Sequence, residues 1–78
     1  MNIQSAILRG ENILKDQLIK SARLDTEILM AKALGVKREY IILNQDKNLD
    51  ENYLDYFEKL IQKRATRKPI AYLLNNKF

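Results

Sequence analysis

Side chains able to do chemistry are scarce in this sequence. It has no histidine and no cysteine. The usual neutral-pH proton carrier, the thiol nucleophile and the ligands of a structural zinc are therefore all missing. Ser5, Ser21, Thr26 and Thr66 carry hydroxyls, but no imidazole is present to activate them. The carboxylates Asp50, Glu51 and Asp55 gather around one expected helix start. There, capping and the helix dipole account for them better than a metal cage does. Gly10 and Gly35 are the only glycines, so no Gly-rich loop for a phosphate or dinucleotide can be written. On this reading the 78 residues hold no catalytic, cofactor-binding or metal-binding group.

What remains is charge, and it is unevenly placed. Residues 1–45 carry net +2, residues 46–58 net −4 and residues 59–78 net +6, for a total of +4. The last third has six bases (Lys59, Lys63, Arg64, Arg67, Lys68 and Lys77) and no acid. Acids at the start and bases at the end of one helix complement its macrodipole. The same arrangement presents a positive surface to an acidic partner. Lys63, Arg67 and Lys68 are the candidate partner contacts. Arg64 differs from them, because at 100° per residue it falls on the apolar stripe of its helix, between Phe57 and Ile61. A charge in that position needs a partner. Glu27 and Asp25 on the second helix are the candidates for a structural ion pair with Arg64.

The elements that position these residues are all helical. Nine isoleucines and twelve leucines against two glycines and one proline favour helices over turn-rich β structure. Ile3, Ala6, Ile7, Gly10, Leu14 and Leu18 form one stripe at helical spacing. Gly10 in its middle is expected to allow close approach of another helix. A second helix, capped by Ser21 and ended by Gly35 at C′, is apolar nearly all round, with Asp25 and Lys32 as its wet side. It therefore belongs at the centre of a bundle. A short third helix spans about Arg38–Leu43, and residues 44–49 read as a polar loop. A fourth runs from its cap Asp50 to about Arg67, with Leu49 and Leu54 at hydrophobic-staple spacing and Tyr53, Phe57, Leu60 and Ile61 as its buried stripe. Pro69 suits the first turn of a last short helix. The expectation is an all-α, compact bundle of about five helices in a single domain over 1–78, monomeric, with the second helix central. The longest apolar run, Ile70–Leu74, is too short to span a membrane. The N-terminus does not read as a signal peptide, so a cytoplasmic location without membrane contact is expected.

One nucleic-acid pattern has to be weighed. Ala31, Gly35 and Ile41 have the spacing of a helix-turn-helix across the second and third helices. A recognition helix must offer polar side chains to base edges, whereas this one is dominated by Tyr40–Leu43, with Arg38 at its start. Nucleic acid is disfavoured as a partner, and a DNA-binding module stands as the alternative, together with a helical protein-interaction adaptor.

Two segments carry a family resemblance. Ala22-Arg23-Leu24-Asp25-Thr26-Glu27-Ile28-Leu29-Met30-Ala31, followed by Ala33-Leu34-Gly35, resembles the ARLDAELLLA..LG segment of the release factor glutamine methyltransferases, the HemK/PrmC family. Phe57-Glu58, Lys63-Arg64, Pro69, Ala71-Tyr72-Leu73-Leu74 and Phe78 resemble that family's FE…RR…P.AYLLG..EF stretch in the same order. Two positions depart from the pattern: Lys68 stands where the family usually has Glu, and Asn75 where it usually has Gly. The resemblance implies an N-terminal helical domain that helps recognise a peptide chain release factor. It also implies a separate methyltransferase domain in cis that binds S-adenosylmethionine through a Gly-rich loop and holds the substrate glutamine with Asn-Pro-Pro-Tyr. Neither of those motifs occurs in these 78 residues.

Overall fold

The computed structural model describes residues 1–75; Lys77 and Phe78, which contribute to the basic third and to the resemblance, lie outside them. Five helices follow one another: α1 (Ile3–Asp16), α2 (Ala22–Leu34), α3 (Arg38–Leu43), α4 (Glu51–Ala65) and α5 (Ile70–Asn75). No strand is present among the described residues. α2 packs against all four of the others. Its buried side chains, Leu29, Met30, Ala31 and Ala33 among them, meet Ile3, Ile7 and Leu14 of α1, Phe57, Leu60 and Ile61 of α4, Ile41 of α3 and Leu73 of α5 in one core. An all-α bundle with a central second helix is therefore the observed architecture.

The close approach of α1, α2 and α4 depends on Gly10. An ideal Cβ there would lie 3.0 Å from Phe57 Cζ, 3.0 Å from Thr26 Cγ2 and 3.1 Å from Ile61 Cδ1. Thr26 can offer a methyl to this contact because its hydroxyl donates back to the Ala22 carbonyl at 2.6 Å. A glycine lowers helix propensity by about 1 kcal/mol relative to alanine, and here the packing of three helices offsets that cost.

The N-terminus of α1 is capped more fully than its sequence suggests. Asn2 Oδ1 accepts from the Ser5 amide at 2.8 Å. The segment 44–49, read as a polar loop, folds back over the same helix end. The Lys47 carbonyl accepts from the Ile3 amide at 2.9 Å and the Gln45 carbonyl from the Gln4 amide at 2.8 Å. The first three amides of α1, which have no partner inside the helix, are thereby satisfied. The Leu49 amide donates in turn to the Met1 carbonyl at 3.0 Å, closing an isolated antiparallel bridge between Asn2 and Asn48.

Three helix ends reverse the chain through a left-handed residue. At α2 that residue is Gly35, φ +67°. The Val36 amide reaches the Ala31 carbonyl at 3.0 Å and the Gly35 amide the Lys32 carbonyl at 3.3 Å, the Schellman pattern. The same geometry ends α1 without glycine: Leu18 has φ +61°, its amide bonds the Lys15 carbonyl at 2.9 Å, and the Ile19 amide bonds Leu14 at 3.1 Å. Arg67, φ +71°, follows α4 in the same way. Each side-chain-bearing residue in this region costs about 1–2 kcal/mol of steric strain.

These endings correct several expectations. Leu18 does not continue the α1 stripe; the helix stops at Asp16, and Ile19 fills the buried position while Leu18 is 80% exposed. α4 ends at Ala65 rather than Arg67, its last turn closed by the Thr66 hydroxyl on the Lys63 carbonyl at 2.6 Å. Tyr53 is exposed. It stands at the rim of a shallow depression shared with Val36 and Tyr40, in the first turn of α4. On α2, Leu24 is exposed, whereas Asp25, read as part of the wet side, is only 5% exposed. Of the Tyr40–Leu43 run only Ile41 is buried, since a six-residue helix lays down a single face.

The crowding at Gly10 sets a first test. Gly10→Ala gains helix propensity but forces a methyl against a buried ring. Urea unfolding is expected to show a net loss of about 1 kcal/mol, the overpacking penalty exceeding the propensity gain.

Candidate functional site

The candidate contacts and the candidate ion pair meet where α4 ends. The buried stripe of α4 runs Phe57–Leu60–Ile61 and reaches Arg64 one turn later. Arg64 Nε donates to Asp25 Oδ2 at 2.9 Å, and Ser21 Oγ donates to the same oxygen at 2.9 Å. Arg64 Nη1 also donates to the Lys68 carbonyl at 3.0 Å. One guanidinium therefore joins the start of α2 to the α4–α5 turn and fixes the backbone that carries Lys68.

Glu27 does not take part in that pair. Two residues along a helix turn its direction by about 200°, so when Asp25 faces α4, Glu27 faces the opposite way. Glu27 Oε1 accepts from Arg38 Nε and Oε2 from Arg23 Nε, both at 3.0 Å. Arg23 Nη1 continues to Glu11 Oε1 at 3.3 Å, and Glu11 Oε2 to Lys15 Nζ at 3.1 Å. This chain of charges ties α3, α2 and α1 together. The i,i+4 spacings Arg23–Glu27 and Glu11–Lys15 were its only visible signal in the sequence. Every buried side-chain nitrogen or oxygen among the described residues has a hydrogen-bond partner.

The three candidate contacts differ in their surroundings. Lys68 is exposed, with its ammonium 5.5 Å from the Tyr72 ring centroid. Lys63 is half-buried and borders an open groove with Lys59, Tyr56 and Asp55. Arg67 is exposed, yet its Nη2 donates to the Gln17 carbonyl at the end of α1. Arg67 thus latches two helix ends together as well as contributing charge. Opposite them, the acidic half of α4 begins at Asp50, whose side chain accepts from the Asn52 amide at 3.0 Å.

No group of His, Cys, Asp or Glu among the described residues is arranged to hold a metal ion. Gly10 is enclosed by side chains and Gly35 ends a helix, so neither belongs to a phosphate-binding loop. The helix-turn-helix alternative is disfavoured: Arg38 is bonded to Glu27, and the exposed face of α3 includes the apolar Ile42 and Leu43. No helix of the described residues is long and apolar enough to cross a membrane.

A small helical domain, clamped by internal ion pairs and basic at one end, is the class of protein defined by fold and site. Comparison with known proteins makes it specific. The family model of the PrmC N-terminal domain matches residues 5–74, and the chain belongs to that family. It is 34% identical over 76 residues to a release factor glutamine methyltransferase of Leptospira interrogans, an alignment covering 97% of this chain and 27% of that protein. It is 38% identical over 61 residues to a Geobacter sulfurreducens protein of the same name, covering 78% and 22%. A bifunctional methyltransferase of Rickettsia felis is 30% identical over 76 residues, covering 97% and 14%. The chain thus spans about a quarter or less of these curated relatives. No solved structure matches it.

Two measurements test the clamp. Arg64→Met leaves the Asp25 carboxylate buried with only the Ser21 hydroxyl, and urea unfolding should show a loss of about 3 kcal/mol. Asp25→Leu combined with Arg64→Met should restore most of it. Separately, the hydrogen bond from Lys15 holds the Glu11 carboxyl below the ordinary glutamate range, burial opposes the shift, and Arg23 reinforces it. A depressed carboxylate contributes stability above its unfolded pKa and loses it as pH falls through the folded value. Acid titration of unfolding should therefore show a limb below about pH 4.3 that is reduced in Glu11→Gln.

Proposed function

We propose that residues 1–78 form the N-terminal substrate-recognition domain of a protein-(glutamine-N5) methyltransferase acting on peptide chain release factors. The observation that carries this reading is the family match over residues 5–74, joined by relatives whose names include that activity. The domain binds and orients; methyl transfer belongs to a further methyltransferase domain in cis, which uses S-adenosylmethionine. Both glycines of this chain are committed, to helix packing and to a helix end, so neither is available for a Gly-rich loop.

Within the domain, the basic end of α4 is the contact surface. Lys63, Arg67 and Lys68 lie there in a stretch, residues 59–75, whose sequence holds bases and no acid, and Arg64 holds the turn that presents Lys68. Cations at such a helix end steer an acidic partner and act over roughly a Debye length, about 8–10 Å near physiological salt. A cytoplasmic monomer is the form in which we expect the domain to work, since translation factors are its partners.

Charge reversal provides the test. Lys63→Glu with Lys68→Glu should weaken binding to purified release factor by about tenfold or more at low salt, with the difference shrinking as salt rises. Arg67→Glu should weaken binding and also lower the thermal midpoint, because it removes the latch to Gln17. Unchanged affinity at low salt in the double variant would overturn the assignment of this surface.

A further inference from the structure

Two side-chain-bearing residues end helices in the left-handed region, and the fold accounts for only one. Arg67 earns its place through the latch from its guanidinium to the Gln17 carbonyl. Leu18, the residue after Gln17, has the same strained backbone, φ +61°, and a side chain 80% exposed to solvent. Glycine would end α1 with the same two backbone hydrogen bonds and no strain, as Gly35 does for α2. The leucine also stands apart from the buried core, since Ile19 fills the apolar position beside it. Strain held at an exposed position without a structural return is a mark of function.

The surroundings say what kind of partner fits. The Arg67 latch brings the α4 end against the α1–α2 turn, so Arg67 adjoins Leu18 from one side and Lys20 follows it two residues later, both exposed. Asp16 is the single carboxylate in residues 15–20. An apolar side chain raised among cations complements a protein surface with an apolar hollow rimmed by carboxylates. We infer that Leu18 is an anchor that inserts into such a hollow on the release factor, with the basic end of α4 flanking it. This rests on the recognition reading above and deepens it, placing an apolar anchor beside the charges.

The anchor and the strain make opposite contributions to binding and stability, and this separates them experimentally. In the protein carrying Leu18→Gly or Leu18→Asn, both residue types that accept positive φ, the thermal midpoint should hold or rise, by about 5 °C for glycine. Affinity for purified release factor should fall by about tenfold or more, and the loss should persist at high salt because it is apolar. A raised midpoint with unchanged affinity overturns the anchor. So does a lowered midpoint in both variants, which would make Leu18 a structural residue. The Lys63→Glu/Lys68→Glu protein in the same titration separates the two ideas. If it loses binding while the Leu18 variants keep it, only the anchor fails. If no variant changes affinity, or the unaltered protein does not bind release factor, the recognition reading fails with it.

Discussion

α2 packs against all four other helices, yet two carboxylates lie on its buried surface. Asp25 and Glu27 are 5% and 7% exposed, and each must be met by a cation, from another helix or from α2 itself. Because they point to opposite sides of α2, the demand is answered from both directions: Arg64 from α4 on one side, Arg23 and Arg38 on the other. Apolar contacts alone would let α2 slide or rotate among similar packings. Two oppositely directed ion pairs leave one rotation and one depth at which both are satisfied. The position of α3, the path of the α4–α5 turn and the alignment of α1 through Arg23 and Glu11 all follow from that choice.

Much of this was legible in the residues, for identifiable reasons. The number and order of helices follow from apolar spacing, and the central place of α2 follows from its nearly unbroken apolar surround. Gly10 was readable because a glycine in the middle of an apolar stripe has few explanations other than close packing. Arg64 was readable because a charge on a buried stripe requires a carboxylate. Periodicity could not say which of Asp25 and Glu27 it would be, since the rotation of α2 is set by the other helices. Helix ends were the weakest part. Nothing in Leu18 or Arg67 marks a left-handed residue, and the Gly35 signal at α2 has no counterpart at α1 or α4. The cap made by residues 44–49 was hidden as well, because it uses backbone carbonyls, which every sequence possesses.

The chain belongs to the PrmC N-terminal domain family, and the curated relatives it aligns with are much longer than it is. Its buried polar side chains are all hydrogen-bonded among the described residues, while its surface carries a basic helix end, an acidic segment and several exposed apolar side chains. Both glycines are committed, one to helix packing and one to a helix end.

The uneven charge along α4 has a kinetic meaning. With net −4 in residues 46–58 and net +5 in residues 59–75, the helix and its flanks form a permanent dipole reinforcing the one its backbone supplies. In the field of an acidic partner such a body experiences torque as well as attraction. It would turn its basic end forward during approach, and more of its collisions would begin in the productive orientation.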